Sequence, residues 1–403
     1  MGHHLDMKIA PITYGIEEEY FLVDPETRGL VASVPTPFMA ACRYRFGDNV
    51  QHEMQLPQVE VSTPILHDSA MARRELSELR AGVGAVATSM DMSLMAAGTH
   101  PLAAWDEQSH TSEARYDQLI DDYQMVGRRN LLSALHVHVS VPSHIDRVML
   151  MNRLMPWLPI FLALSTSSPF WNRRDTGLLS YRQAAYDEWP RSGVPDAFDD
   201  EQQYASFIDL LATCGALRDG SFLWWAIRPS SRFPTLELRI ADSCTRLDDA
   251  LAIAALFRCL VRAHIRRPTL GLDRTALTRR VVDENRWRAK RYGTQASFIH
   301  ERSRSLVGFD QALESMMKLV APDADALHCE SELAHASAIS SRGTSAHHQL
   351  DLHQRLCEAG LSSDAALEGV VDWLVDTTAA VGAPASRVPT PRIIQPGCGA
   401  AKA

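Results

Sequence analysis

The sequence predicts an α+β fold, with a mainly antiparallel sheet and helices packed on its outer face. Five segments alternate apolar and polar side chains with the period of two that is typical of β-strands, and stretches with helical periodicity separate them. The elements do not follow the short strand–helix alternation of a doubly wound fold. No GxGxxG follows a strand-like segment and no GxxxxGKS/T occurs in the 403 residues, so neither phosphate-binding loop argues for a parallel sheet.

The predicted elements are spread along most of the chain. Strand-like segments lie at 12–23, 56–64, 91–98, 134–141 and 234–241. Helical periodicity is found at 69–90, 112–130, 145–164, 200–215, 247–266, 308–319, 345–359 and 363–380. Asp248 and Asp249 fall in the first turn of the helix that begins near 247, where the helix dipole favours negative charge.

Residues 1–381 are predicted to form a single domain, and no internal repeat is evident in the sequence. Residues 382–403 are rich in Pro, Gly and Ala and are predicted to form an extended arm or a loose tail. The most apolar run, 154–171, contains three prolines and is predicted to be a buried core helix and loop, not a membrane span.

Composition excludes several classes of protein. A net charge of -9 gives no reason to expect a nucleic-acid partner. The seven cysteines are scattered without a CxxC pair, which favours a reducing cytoplasm over a disulfide framework or a structural zinc site. The first residues lack a basic region followed by an apolar stretch, so no secretory signal is visible and a cytoplasmic protein without a membrane partner is expected.

The first strand, YGIEEEYFLVD, carries three consecutive carboxylates inside an otherwise apolar run. Side chains alternate across a strand, so Glu17 and Glu19 point to one face, about 7 Å apart, and Glu18 points to the other. Three later strands also have one apolar and one polar face. Their polar side chains are Gln58, Glu60, Ser62, His136, His138, Ser140, Glu237 and Arg239.

These polar faces allow two interpretations. Taken singly, each strand is well explained as the solvated side of an antiparallel sheet. Taken together they carry Glu, His, Gln and Arg but no Lys, which favours convergence on one cavity. Carboxylates that share a cavity repel one another, which raises some pKa values or demands cations. Their hard oxygen ligands favour Mg²⁺ or Mn²⁺ over zinc, and a nearby Arg suits phosphoryl transfer.

Several segments resemble the glutamate–cysteine ligase type 2, or carboxylate–amine ligase, family of the glutamine synthetase-like superfamily. In chain order they are GIEEEYFLVD, QLPQVEVSTP, LHVHVSVP, SSPFWNRRDTGLLSYR, LWWAIRPSSRFPTLELRIAD, NRWRAKRYG and SRGTSAHHQ. The resemblance implies a sheet curled into a funnel with helices outside. It also implies an ATP-dependent ligase that phosphorylates the γ-carboxylate of glutamate and lets an amine attack the γ-glutamyl phosphate. Small-molecule substrates and a homodimer are expected by the same analogy.

The resemblance implies roles for individual residues. Arg239 resembles the arginine on the phosphate side of the active site, whereas Glu18 receives no chemical role. ATP and Mg²⁺ (or Mn²⁺) are the implied cofactors. The implied metal ligands are Glu17, Glu19, Glu53, Glu60, His136 and Glu237.

The remaining candidates are implied to bind the substrate or the nucleotide, and most of them also allow a structural interpretation. Arg174, Tyr181 and Arg182 are expected to recognise substrate carboxylates, since a bidentate Arg suits a planar carboxylate, or else to form a structural salt bridge. Arg228 is expected to reach the ATP phosphates, or to cap a helix. Arg342, in a Gly/Ser segment, is expected to close over the phosphates as part of a flexible loop.

Two departures from the family pattern and two alternative functions remain open. Ala226 stands where an acid is common, and Arg173 where a Gly is common, so the acid and amine substrates are not fixed. One alternative is a catalytically silent relative that binds a nucleotide or metabolite. The other is a metal-dependent hydrolase that uses the HxH strand, although two Glu-bearing strands precede it and the barrel alternation is missing.

Overall fold

The computed structural model describes residues 11–107 and 109–381. The predicted arm at 382–403 lies outside the described residues. The described α-helices, numbered in chain order, are α1 Thr36–Phe46, α2 Ser69–Thr88, α3 Ala114–Tyr123, α4 Met125–Arg128, α5 Arg147–Leu154, α6 Leu158–Ser165, α7 Tyr181–Tyr186, α8 Glu201–Thr213, α9 Leu247–Arg266, α10 Thr278–Tyr292, α11 Phe309–Leu327, α12 Glu330–Arg342, α13 Ser345–Glu358 and α14 Ser363–Ala379.

The described strands form one main sheet and three two-stranded sheets. They are β1 Tyr14–Val23, β2 Val50–His52, β3 Gln58–Ser62, β4 Ser93–Met95, β5 Ala134–Ser140, β6 Phe170–Trp171, β7 Arg174–Asp175, β8 Ser192–Gly193, β9 Trp224–Trp225, β10 Ile227–Pro229, β11 Thr235–Asp242, β12 Ser297–His300 and β13 Ser305–Gly308.

The main sheet is antiparallel throughout and has seven strands. Its order is β10-β11-β5-β1-β3-β2, and β4 pairs with the second half of β1. Strand β1 therefore lies inside the sheet, with β3 along one edge and β5 followed by β4 along the other. The predicted mixed fold with an antiparallel sheet is confirmed. The curl of the sheet into a funnel stays a prediction.

Helices cover the outer face of this sheet. The apolar side chains of β5, Leu135, Val137 and Val139, are fully buried in the largest core cluster. Helix α9 packs on β5, and α6 packs on β11. Burying each such side chain on this face stabilises the fold by about 1.5–3 kcal/mol relative to leaving it exposed to water. The predicted apolar run is a core element, because all eight residues of α6 are buried.

Glu18 lies on the outer face of β1, where its carboxylate meets Arg80 of α2. The two guanidinium bonds are 2.8 and 2.5 Å long, and neither side chain is more than 1% exposed. The Tyr20 hydroxyl also donates to Glu18. Arg80 donates further to the carbonyls of Cys244 and Thr245, which join β11 to α9. This buried ion pair therefore connects the first strand, the second helix and the last strand of the main sheet.

The predicted element bounds hold to within about three residues at most strand ends, but some helices differ. The predicted strand at 91–98 is shortened to β4. The predicted helix at 145–164 is interrupted at Met155–Trp157, where prolines at 156 and 159 lack the N–H groups a continuous helix needs. The predicted helix at 112–130 breaks at Gln124, whose φ is +47°. Helices α1, α7, α10 and α12 were not predicted.

Replacing Arg80 with Ala is expected to lower the free energy of unfolding by about 3–5 kcal/mol, because it leaves the buried Glu18 carboxylate uncompensated. Arg355→Ala is the matched control. Its partner Asp351 and Arg355 itself are more than half exposed, so the expected loss is below about 1 kcal/mol. Urea unfolding of both variants measures the difference. Equal losses in the two variants would contradict the structural role of the Glu18–Arg80 pair.

Candidate functional site

The polar face of the main sheet lines a cavity of about 270 Å³. Side chains from β1, β3, β5 and β11 converge there, as the composition of their polar faces predicts. Residues from the β10–β11 turn, the loop after β2 and helices α3 and α7 are also part of the wall. The site residues predicted from the sequence that line this cavity are Glu17, Glu19, Glu53, Glu60, His136, Arg182, Arg228, Glu237 and Arg239.

Strand register brings the carboxylates together. Glu19 lies directly opposite Glu60 in the β1–β3 pair, and Glu17 lies opposite His136 in the β1–β5 pair. Glu237 lies opposite His138 in the β5–β11 pair. Directly opposed residues have Cβ atoms about 4.5–5.5 Å apart, so each pair shares one small region of the cavity.

One triad is made of Glu19, Glu53 and Glu60, whose nearest carboxylate oxygens all lie within 4.8 Å of one another. Burial, and then the charge of Glu53, raises the pKa of Glu19 to about 8. Burial and the charges of Glu17, Glu53 and Glu19 raise the pKa of Glu60 well above its usual value. Three acids held this close are therefore unfavourable when all are ionised and no cation is bound.

The second triad is made of Glu17, His138 and Glu237, again with ligand atoms within 4.8 Å of one another. The His138 Nε2 atom lies 3.4 Å from Glu17 and 3.9 Å from Glu237. Burial would raise the pKa of Glu17, but hydrogen bonds and attraction from His136 and His138 outweigh it and hold that pKa well below its usual value. Glu17 is therefore held in its ionised form, whereas the raised pKa values of Glu19 and Glu60 disfavour ionisation in the first triad.

Two arginines neutralise Glu237. Arg228 makes two bonds of 2.7 and 3.1 Å to its carboxylate, and Arg239 donates to the same carboxylate. Burial would raise the pKa of Glu237, but attraction from Arg228 and Arg239 holds it well below its usual value. Arg228 also donates to the carbonyls of Ser221 and Leu223, so it is anchored at the cavity wall.

Both histidines of the HxH strand lie at the site, although the sequence assigned a ligand role to His136 alone. His136 lies between the triads, with Nδ1 3.4 Å from Glu17 and Nε2 3.9 Å from Glu19. Burial, with repulsion from Arg239, lowers the pKa of His136 to about 4. His138 completes the second triad and is the site residue that sequence reasoning missed. Its position on the same strand face as His136 was the available signal.

The donor set suits hard divalent cations. The two triads together offer five carboxylates and one imidazole, and no thiolate lies among the residues that line the described cavity. Oxygen-rich sites of this kind favour Mg²⁺ or Mn²⁺, whereas zinc sites are richer in nitrogen and sulfur. The raised pKa values of Glu19 and Glu60 point the same way, since a cation would relieve the repulsion that causes them.

Arg182 lines the cavity as a buried cation whose charge lowers the pKa of the nearby Asp242 and Glu19 without a direct ion pair to either. It is 2% exposed and has no ion pair within 4 Å among residues 11–107 and 109–381. Its guanidinium makes one long contact, 3.5 Å to the carbonyl of Arg239, and lies 5.4 Å from the ring of Tyr186. Its Nε atom has no hydrogen-bond partner in the described part of the chain. A buried guanidinium in this state is suited to an anionic ligand.

Three predicted residues do not line this cavity. Arg174 is exposed on β7, and the ring of Tyr181 packs on Trp171 with centroids 5.3 Å apart. Arg342 is the last residue of α12, not part of a loop, and pairs with Asp249 at 2.6 Å. It lines a second cavity of about 500 Å³ beside the start of α11. Their predicted roles in binding substrate and ATP stay predictions.

The two departures from the family pattern also lie outside the ligand sets. Arg173 is exposed and directs its guanidinium to Asp364 of α14 at 3.4 Å. Ala226 is buried between β9 and β10, and its N–H bonds the carbonyl of Gly193. Neither residue is among those that line the first cavity. The positive charge of Arg173 therefore lies outside the first cavity.

Comparison with models of protein families identifies the family of this chain. The model of glutamate–cysteine ligase family 2 matches residues 13–363. This chain belongs to that family. A relative from Ectopseudomonas mendocina, provisionally named glutamate–cysteine ligase 2, is 45% identical over 91% of this chain and 97% of its own length. A relative from Rhodospirillum rubrum with the same provisional name is 42% identical over 94% of this chain and 99% of its own length.

Solved structures resemble this member of glutamate–cysteine ligase family 2 in fold. A glutamate–cysteine ligase from Francisella tularensis, crystallised with AMP, superposes with a TM-score of 0.69 over 94% of this chain and 91% of its own. A bifunctional glutathione synthetase from Pasteurella multocida gives 0.64 over 91% of this chain and 52% of its own. Their sequence identities are 11% and 13%, so these likenesses concern the fold.

Glu60→Gln is expected to stabilise the cation-free protein increasingly as the pH rises. Burial and repulsion raise the pKa of Glu60 well above its usual value in the folded state. As the pH rises from about 5 toward that raised pKa, the folded protein therefore holds a proton that the unfolded chain has lost. Native stability therefore falls as the pH rises through this range, and the neutral Gln escapes that loss. Urea unfolding in EDTA at both ends of the range measures it.

The control for this comparison is Glu368→Gln, at an exposed position on α14. Its free energy of unfolding relative to the wild type should stay constant over the same pH range. A Glu60→Gln protein less stable than the wild type at the alkaline end would show that the Glu60 carboxylate is not under repulsion.

Proposed function

We propose that the protein is an ATP-dependent carboxylate–amine ligase that activates the γ-carboxylate of glutamate and joins it to an amine. The observation that carries this proposal is the pair of triads, Glu19–Glu53–Glu60 and Glu17–His138–Glu237, on one cavity wall with Arg239 beside them. Membership of glutamate–cysteine ligase family 2 supports it. The funnel-shaped sheet and the homodimer implied by the family resemblance belong to the same proposal.

The two triads would hold divalent cations, Mg²⁺ or Mn²⁺. Such cations, when bound, neutralise the phosphate charge that would otherwise repel an approaching carboxylate. The chain itself fixes where this happens, because Glu17, Glu19 and Glu60 belong to neighbouring strands whose register is set by backbone hydrogen bonds. Positioning of this kind accounts for much of the rate enhancement in phosphoryl transfer.

Arg239 would stabilise charge on the transferred phosphoryl group. Its guanidinium donates to Glu237 and to the Tyr186 hydroxyl, the latter at 3.3 Å. Arg228 holds the same carboxylate with two bonds, so Glu237 keeps a cationic partner when Arg239 turns toward phosphate. A preorganised cation of this kind stabilises the transition state without reorganisation at the moment of reaction.

The reaction then has two steps. An oxygen of the γ-carboxylate attacks the γ-phosphorus of ATP, and the bond to the bridging oxygen breaks to release ADP. The nitrogen of a neutral amine next attacks the acyl carbon, phosphate leaves, and the nitrogen gives up a proton. Arg182, buried and without an ion pair, would bind a carboxylate of the acid substrate in a bidentate manner.

A silent relative that binds a nucleotide without turnover is the second candidate. The site argues against it, because Glu19 and Glu60 stay ionised only at a cost that bound cations remove. Their retention without a cation-dependent role would leave that cost unexplained. The donor set, rich in oxygen, argues equally against a zinc hydrolase.

The proposal predicts ADP release that requires Mg²⁺ or Mn²⁺, an acid and an amine. A screen would cross glutamate and other acids with a panel of amines that includes cysteine. Glu60→Gln should lower the rate at least about 100-fold, since it removes several kcal/mol of transition-state stabilisation, while it does not lower stability. Glu368→Gln is the control. Nucleotide binding by calorimetry without turnover on any pair would favour the silent relative, and hydrolysis dependent on zinc alone would favour the hydrolase.

Arg182→Met is expected to raise the KM for the acid about 10–100-fold. The reason is that it removes a pair of charge-assisted hydrogen bonds between the guanidinium and the substrate carboxylate. The KM for ATP should change far less. Because Arg182 makes no direct ion pair among the described residues, its removal should lower the free energy of unfolding far less than Arg80→Ala does. Arg355→Met, at an exposed site on α13, is the control. A loss of stability with an unchanged KM would instead identify Arg182 as a structural residue.

A further inference from the structure

The carboxylate of Asp242, the last residue of β11, is fully buried and accepts hydrogen bonds on both oxygens. One oxygen accepts from the N–H of Ser167 at 3.0 Å and from the hydroxyl of Ser168 at 2.7 Å. The other accepts from the hydroxyl of Ser180 at 2.8 Å. Neither Asp242 nor these three serines are among the residues that line the first cavity of the described chain, and the proposed function gives them no role.

Two of these serines connect the carboxylate to Arg182. The Ser168 hydroxyl donates to Asp242 and also accepts from the N–H of Arg182 at 3.0 Å. Ser180 directly precedes α7, in which Arg182 is the second residue, and it forms a parallel β-bridge with Ser168. Asp242 therefore binds the chain on both sides of the point where α7 begins.

We propose that Asp242 is a positioning residue for Arg182. It acts by fixing, through Ser168 and Ser180, the turn from which the guanidinium of Arg182 reaches the first cavity. The inference rests on the proposed function, because it takes Arg182 to bind a carboxylate of the acid substrate.

Arg182 needs support through its backbone because its long side chain has few bonds of its own. The guanidinium makes one contact of 3.5 Å to the carbonyl of Arg239, and its Nε atom has no hydrogen-bond partner in the described part of the chain. The ring of Tyr186, on the next turn of α7, lies 5.4 Å from it. Anchoring the start of α7 therefore places both the guanidinium and the ring beside it. Binding groups need support within about 0.5 Å of their productive geometry.

Asp242 also balances the charge of Arg182. Burial raises the pKa of Asp242, whereas attraction from Arg182 and the hydrogen bonds from Ser168, Ser167 and Ser180 lower it. The two side chains make no direct bond among the described residues. The carboxylate thus favours the buried cation without occupying the N–H groups that a substrate carboxylate would use.

Gly98 leaves the carboxylate of Asp242 little room to move. A Cβ atom at Gly98 would lie 2.9 Å from Cγ of Asp242 and 3.0 Å from Cβ of Ser168, closer than such atoms normally approach. The N–H of Gly98 also bonds the hydroxyl of Ser167 at 2.8 Å. A close backbone approach of this kind requires glycine, and it keeps the carboxylate against the serines.

The test measures ADP release by the full chain while either the acid or ATP is varied. Asp242→Asn keeps the side-chain shape but replaces one accepting oxygen with a donor, and Ser180→Ala removes one of the hydroxyls. Each should raise the KM for the acid about tenfold, because a displacement of about 1 Å costs up to about 100-fold. The KM for ATP should stay within about twofold of the wild type.

Ser165→Ala is the matched control. Ser165 is a buried serine, and its hydroxyl accepts from the backbone N–H of Asp242 at 3.2 Å but does not bond the carboxylate. The KM for the acid should stay within about twofold of the wild type in this variant.

A double-mutant cycle with Arg182→Met separates positioning from a general structural role. Once the guanidinium is gone nothing remains to be positioned, so Ser180→Ala should change the KM for the acid less than about twofold in that background. A structural role would raise the KM by the same factor in both backgrounds. Melting temperatures show whether each variant is folded at the assay temperature.

The outcomes separate the inference from the proposed function. If the wild type turns over no pair of acid and amine, the proposed function fails, and the same cycle is measured as the dissociation constant of glutamate by calorimetry. If glutamate then does not bind, the inference fails as well. With a working ligase, an unchanged KM for the acid in folded Asp242→Asn and Ser180→Ala refutes the inference alone. Equal factors in both backgrounds, or no effect of Arg182→Met itself, refute it in the same way.

Discussion

The Glu18–Arg80 ion pair is the interaction on which the rest of the site depends. A strand that carries Glu17 and Glu19 toward a cavity must turn Glu18 toward the helices, because side chains alternate. Arg80 neutralises that carboxylate inside the core and also binds the carbonyls of Cys244 and Thr245. The register of β1 is thereby fixed, and a slip of one residue would exchange the faces of all three glutamates.

Strand β1 carries two acids toward the cavity, Glu17 and Glu19, and their pKa values are shifted in opposite directions. Glu17 is surrounded by two histidines and stays ionised, whereas Glu19 and Glu60 face one another and resist ionisation. The difference follows from partners, not from burial, since all of these carboxylates are largely removed from water. In the second triad, attraction from Arg228 and Arg239 holds the pKa of Glu237 down, whereas burial and mutual repulsion prevail at Glu19 and Glu60. An incoming cation therefore has most repulsion to relieve at the first triad.

The alternation of apolar and polar residues predicted the strands and the faces that carry their acids. This was possible because the alternation can be recognised within a single short segment of sequence. Register is not local, so the sequence did not tell that Glu237 meets His138 and that Glu17 meets His136. The ligand role inferred for His136 came from resemblance, and the structure places both histidines beside the carboxylates. Arg342 was expected in a loop because Gly and Ser surround it, yet α12 continues to that residue since its apolar face packs on α9.

Arg80 and Arg182 show how a buried charge distinguishes a structural site from a binding site. Both are 2% exposed. Arg80 has a carboxylate, two carbonyls and no remaining need for a ligand, and its bonds tie elements that are far apart in the sequence. Arg182 has one long carbonyl contact and an unbonded Nε beside the first triad. A guanidinium left in that state costs stability in the free protein, and an anionic substrate that pairs with it recovers that cost as binding energy.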